Sequence, residues 1–73
     1  MLQDNIRSLR KARGLSQEEV AQRLHITRQT LSKWENGLSV PDAQLLLKLA
    51  EILEVSVAQL LEGSTETNEE EQD

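Results

Sequence analysis

Apolar residues along the 73-residue chain recur at helical spacing, in short blocks separated by capping and stop signals. No stretch alternates apolar and polar residues over a strand's length, and no Asn-Gly turn joins β-branched runs. The pattern predicts five helices. Asp4 can cap a first over about residues 5–13, with Ile6, Leu9 and Arg13 inward, and Gly14 is its left-handed stop. Ser16 opens a second helix, where Glu19 three residues on completes a capping box and Val20, Ala21 and Leu24 share one face. His25-Ile26-Thr27 breaks it. Thr27 caps a third helix running to Trp34 or Glu35, which Asn36-Gly37 ends. Pro41-Asp42 starts a fourth with a broad apolar face of Leu45, Leu46, Leu49, Ile52 and Leu53, closed at Glu54-Val55. Ser56 and Gln59 form a second capping box for a fifth helix carrying Val57, Leu60 and Leu61 before Gly63. There is no internal repeat. The expectation is one compact all-α domain over residues 1–63. Residues 64–73 form an acidic tail or linker with no apolar anchor, expected to be disordered or frayed.

Composition narrows the class. A chain this short buries only about 60% of its unfolded surface. Its thirteen leucines, with Ile6, Ile26, Ile52 and four valines, supply an aliphatic core. Without cysteine there is no disulfide scaffold and no thiolate chemistry, and one histidine argues against a structural zinc site. No apolar run approaches the roughly 18 residues of a membrane span, and the N-terminus does not read as a signal peptide. The chain is expected in the cytoplasm.

The net charge of −5 misleads about partners. Five acids and no base lie in residues 64–73, and residues 38–63 carry a local −3. Residues 5–37, by contrast, hold seven bases against three acids, a local +4. Whole-chain charge is therefore a poor guide to what the molecule binds.

The third helix concentrates the chemistry. At about 100° per residue, Leu31, Trp34 and Glu35 gather on one side, and Arg28, Gln29, Ser32, Lys33 and Asn36 on the other. The second face is polar, hydrogen-bonding and free of acids, which suits the DNA major groove, where Arg or Lys donates to guanine and Gln pairs with adenine, although most polar helix faces are merely wet. Gln17 and Arg28 also sit in the first turns of consecutive helices, where free backbone N–H groups favour phosphate. Trp34, spaced from Leu31 along the apolar stripe, reads as a packing residue; a base-stacking platform would call for several aromatics in a basic groove.

The stretch Leu15-Ser16-Gln17-Glu18-Glu19-Val20-Ala21, then Thr27-Arg28-Gln29-Thr30-Leu31-Ser32-Lys33-Trp34-Glu35-Asn36-Gly37, closely resembles the helix-turn-helix of the lambda-repressor-like (Cro/Xre) family. The resemblance runs from about Ile6 to Gly63 and includes Pro41 and Val55-Ser56-Val57. It implies a lambda-repressor-like five-helix domain and sequence-specific double-stranded DNA binding by a transcriptional regulator, in the first instance a repressor. Arg28, Gln29 and Lys33 would chiefly read base edges, with Thr27, Thr30 and Ser32 as marginal contacts, Thr30 on the phosphate side. Gln17 and Asn36 would hold phosphates, as would backbone amides after Gly37. On this division, replacing Gln29 relaxes base preference and replacing Gln17 weakens all sequences alike. The resemblance also pairs Glu35 with Arg10 as a structural ion pair. His25 stands where the family often has glycine and is expected to take a left-handed backbone; as a pH switch or metal ligand it lacks a second ligand type. A two-fold homodimer is expected, with half-sites about 34 Å apart and Leu38, Leu60 and Leu61 as its apolar patch.

Other readings of the sequence remain open. A protein-interaction or antitoxin-like module would suit the net acidity and the tail, and the tail could lead to a C-terminal partner domain or protein. An enzyme is the poorest: Ser16 and His25 lie at opposite ends of one helix, and Gly14, Gly37 and Gly63 are isolated helix stops, not a phosphate loop. No cofactor is expected.

Overall fold

The structure, a computed structural model, describes residues 2–62. Five helices follow in order: α1 (Leu2–Ala12), α2 (Gln17–Leu24), α3 (Arg28–Glu35), α4 (Ala43–Leu53) and α5 (Val57–Glu62). There is no strand among the described residues. Ile6, Val20, Leu24, Leu31, Trp34, Leu49, Ala50, Leu53 and Leu60 form the core, contributed by all five helices. α2 packs on α3 and α4, and α1 lies across α3 and α5.

The caps act where the side chains dictate. Ser16 Oγ accepts from the Glu19 N–H and the Glu19 carboxylate accepts from the Ser16 N–H, closing the capping box of α2. The same reciprocal pair joins Ser56 and Gln59 ahead of α5. Thr27 and Asp42 cap α3 and α4 through single bonds to the Thr30 and Leu45 N–H groups. Each bond satisfies an amide that the helix itself cannot.

α2 ends on His25 in the left-handed region (φ 59°, ψ 40°), with the Ile26 N–H reaching back to the Ala21 carbonyl. α4 ends the same way on Glu54 (φ 60°, ψ 42°), with Val55 bonded to Ala50. A C-terminal closure of this kind needs one left-handed residue, and neither position has the glycine that adopts it without cost. The need at Glu54 was not foreseen from sequence, because a charged residue gives no left-handed signal. Gly37 is favoured by its left-handed backbone, with φ +75°; the atoms nearest to where a Cβ would sit are the far end of the flexible Gln3 side chain, which can move aside.

Several expectations are corrected. α1 begins at Leu2, not after Asp4, because Leu2 packs against the core and draws an extra turn into the helix; Asp4 sits in the first turn. The inward position expected of Arg13 belongs to Arg10; Arg13 lies beyond α1, exposed, and pairs with Glu54. Leu60 is fully buried, since α5 lies against α1 with the Asn5 carboxamide bonded to the Leu60 carbonyl. It cannot belong to a surface patch. The large apolar side chains left exposed are Leu38, Val40, Leu47 and Leu61. Gly63 and the tail lie outside the described residues.

Candidate nucleic-acid interface

α3 is two-faced in the way its spacing requires. Leu31, Trp34 and Glu35 are buried, whereas Arg28, Gln29, Lys33 and Asn36 are exposed and Thr30 and Ser32 half-exposed. The helix's one acid therefore points inward, and its outer face carries two positive charges and no carboxylate. Lys33 and Gln29 are exposed on this face. Thr27 is committed as the cap, and its hydroxyl and that of Thr30 bond each other at 3.0 Å.

Burying Glu35 creates an electrostatic problem that α1 solves. Burial by itself pushes the carboxyl up. The hydrogen bonds from Arg10 and Gln17, with the charges of Arg10 and Arg7, outweigh burial and hold it below the ordinary carboxylate range. Arg10 donates from Nε to Glu35 Oε2 at 2.7 Å and from Nη2 to Oε1 at 3.0 Å, a two-pronged pairing, and from Nη1 to the Leu15 carbonyl. Arg7 Nε stands 3.6 Å from Oε1.

From Glu35 the network runs outward. Gln17 Nε2 donates to Glu35 Oε1 at 3.1 Å, and Gln17 Oε1 accepts from Arg28 Nε at 3.2 Å. A carboxylate only accepts, so Glu35 fixes which end of the Gln17 amide faces Arg28. Arg28 is thus held by Nε, which leaves its two terminal nitrogens for an outside acceptor. A second chain begins at Arg7, whose Nη2 donates to the Glu35 carbonyl at 3.1 Å and to Asn36 Oδ1 at 3.0 Å. Asn36 Nδ2 in turn donates to Ser32 Oγ at 3.3 Å.

The Gln17 and Asn36 side chains, expected to grip phosphates, are engaged within the protein, each linking an α1–Glu35 anchor to an outer-face residue of α3. Sequence reasoning missed Arg7. Its signal was there, one turn before Arg10 on the same α1 face, but spacing alone does not say what that face meets.

No helix among the described residues is long and apolar enough to cross a membrane, and none of their His, Asp or Glu side chains cluster as a metal site. The helix-turn-helix family model matches residues 6–60. A prophage-derived transcriptional regulator of Bacillus subtilis, YonR, is 41% identical over 64 residues, 88% of this chain and 59% of the relative. The phage CTXphi transcriptional repressor RstR of Vibrio cholerae is 38% identical, covering 93% and 60%. The chain thus spans about three fifths of the length of these curated relatives. Among solved structures, the biofilm master regulator SinR in complex with DNA superposes with a TM-score of 0.77 at 35% identity, covering 84% of this chain and 98% of that one.

Proposed function

The chain belongs to the helix-turn-helix family of transcriptional regulators, and from that premise we propose that it binds double-stranded DNA sequence-specifically, with α3 in the major groove, and acts as a repressor. The observation that carries this reading is the outer face of α3: basic and amide side chains exposed together, with the one carboxylate of the helix buried and neutralised beneath them. Arg28 and Lys33 donate to guanine and Gln29 pairs with adenine; Thr27 and Ser32 are lesser base contacts. Phosphates are held at the N-terminus of α2, by Gln17 in its first turn, and beside Thr30 and Asn36. The RstR repressor and the DNA-bound SinR support the reading by likeness. A homodimer on a two-fold operator completes it, since one eight-residue helix reads few bases.

In vitro selection from a random duplex library tests the proposal directly. The expected result is an enriched site with two inverted half-sites about one helical turn apart. Affinity for it should fall with salt at a log–log slope of about −0.9 per neutralised phosphate. Replacing Gln29 with Ala should abolish preference at one step per half-site. No affinity for any duplex at low salt would favour a protein-interaction module instead.

A further inference from the structure

A phosphate beside Asn36 would lie at the end of α3 where the helix itself works against it. Eight residues make a helix about 12 Å long, close to the width of the major groove, so backbone phosphates come within reach of both of its ends. The N-terminal end attracts them, whereas the C-terminal end carries about half a negative charge on its last carbonyls and repels them. Asn36 cannot offset this. Its side chain is neutral, and its Oδ1 accepts from Arg7 Nη2 at 3.0 Å while its Nδ2 donates to Ser32 Oγ.

The charge at this corner comes from Arg7. Its Nη2 donates to both the Glu35 carbonyl and Asn36 Oδ1, which anchors the guanidinium at the C-terminal end of α3. The side chain is 45% exposed, against 11% for Arg10. Glu35 carries one negative charge, and the two-pronged pair with Arg10 already matches it, so the charge of Arg7 is left over. Counting the helix end, the corner is about half a charge positive with Arg7 and half a charge negative without it.

Resting on the DNA-binding reading above, we propose that Arg7 is the residue that holds the backbone phosphate at the C-terminal end of α3, with Asn36 as its tether. The bonds to Glu35 and Asn36 take two of the guanidinium's five N–H groups, both on one nitrogen, and a phosphate oxygen is met by the others. Anchored in this way before DNA arrives, the side chain loses little freedom on binding. Arg7 reads no base, so its contribution is the same for every sequence.

The test uses the whole chain and the duplex enriched in wild-type selection. Failure to enrich any duplex would remove the DNA-binding reading and this proposal with it; the outcomes that follow bear on Arg7 alone. Arg7→Met should weaken the enriched duplex and its single-step variants by one common factor, about tenfold per bound chain at low salt, with every base preference intact. The log–log salt slope should become shallower by about 0.9 per bound chain. Replacing one backbone phosphate at a time with a neutral methylphosphonate then locates the contact. At one position per half-site the replacement should cost the wild type about tenfold and cost Arg7→Met nothing, since the two changes remove the same interaction. Arg7→Gln keeps an amide donor for the Glu35 carbonyl but lacks the charge; it should match Arg7→Met and takes its place if that variant folds poorly. Arg7→Lys keeps the charge and should keep the slope. In Asn36→Ala the methylphosphonate penalty should survive. The proposal is overturned if the neutral Arg7 variants retain the wild-type slope and every methylphosphonate penalty, or if they alter preference at a base step. It is equally overturned if the penalty vanishes in Asn36→Ala but persists without Arg7, as it would were Asn36 the contact.

Discussion

Replacing Arg10 with Met should destabilise the domain far more than the loss of a surface charge would. The Glu35 side chain has no exposed surface and the Arg10 side chain 11%. Arg10→Met deletes both of its bonds to the carboxylate and orphans the Leu15 carbonyl that Nη1 serves. Breaking a buried pair from one side costs about 3–5 kcal/mol, because the remaining charge stays buried. Arg7 at 3.6 Å and the Gln17 amide offset part of this, which places the expectation near the lower end, about 3 kcal/mol. For a domain this small that corresponds to a fall in Tm of roughly 12–24 °C. Trp34, the sole tryptophan and buried on the same helix, reports unfolding by fluorescence in a urea titration. Arg10→Met combined with Glu35→Leu should recover most of the loss, since no charge is then stranded. Acidity gives a second reading of the same pair. In the wild type the Glu35 carboxyl lies below its ordinary 4.5, so its contribution is full above that pH and is lost as pH falls through the lower folded value. In Arg10→Met burial is opposed only by Gln17 and Arg7, the carboxyl moves up, and protonation on acidification relieves the penalty. The gap between the two proteins should narrow as the solution is acidified. Single-variant losses below about 1 kcal/mol, or a double variant as unstable as the sum, would refute the reasoning.

Three further outcomes follow from the helix ends and the network. His25→Gly should raise stability by about 1 kcal/mol, because the left-handed conformation at that position disfavours a Cβ; duplex affinity should be unchanged, and calorimetry with band shifts checks both. Ser16→Ala removes the acceptor of the α2 capping box and should cost about 1 kcal/mol, read as an earlier denaturation midpoint at unaltered slope. Gln17→Ala should relax preference at the Arg28 step, because the Nε anchor is gone; uniform weakening across operators would contradict that role.

The helix-turn-helix itself is written locally. Ser16 with Glu19, Thr27 and the His25-Ile26-Thr27 break lie within a few residues of the amides they serve, so the limits of α2 and α3 follow from short-range chemistry alone. The two faces of α3 likewise follow from periodicity, and the burial of Leu31, Trp34 and Glu35 matches it. What periodicity cannot supply is the identity of the partner across a gap of many residues. That Arg10 rather than Arg13 turns inward depends on where Glu35 sits, 25 residues away, as the family resemblance suggested and helical spacing within α1 did not. Arg7 escaped notice for the same reason, since its acceptors are 28 and 29 residues distant. Gln17 and Asn36 read from the sequence as amides without partners; packing brings Glu35 beside one and Arg7 beside the other. Leu60 looked available until α5 closed on α1. Local hydrogen bonding and apolar spacing specify the helices and which side of each is wet. Only the assembled helices decide which donor meets which acceptor, because that choice depends on distances through space that the chain order does not encode.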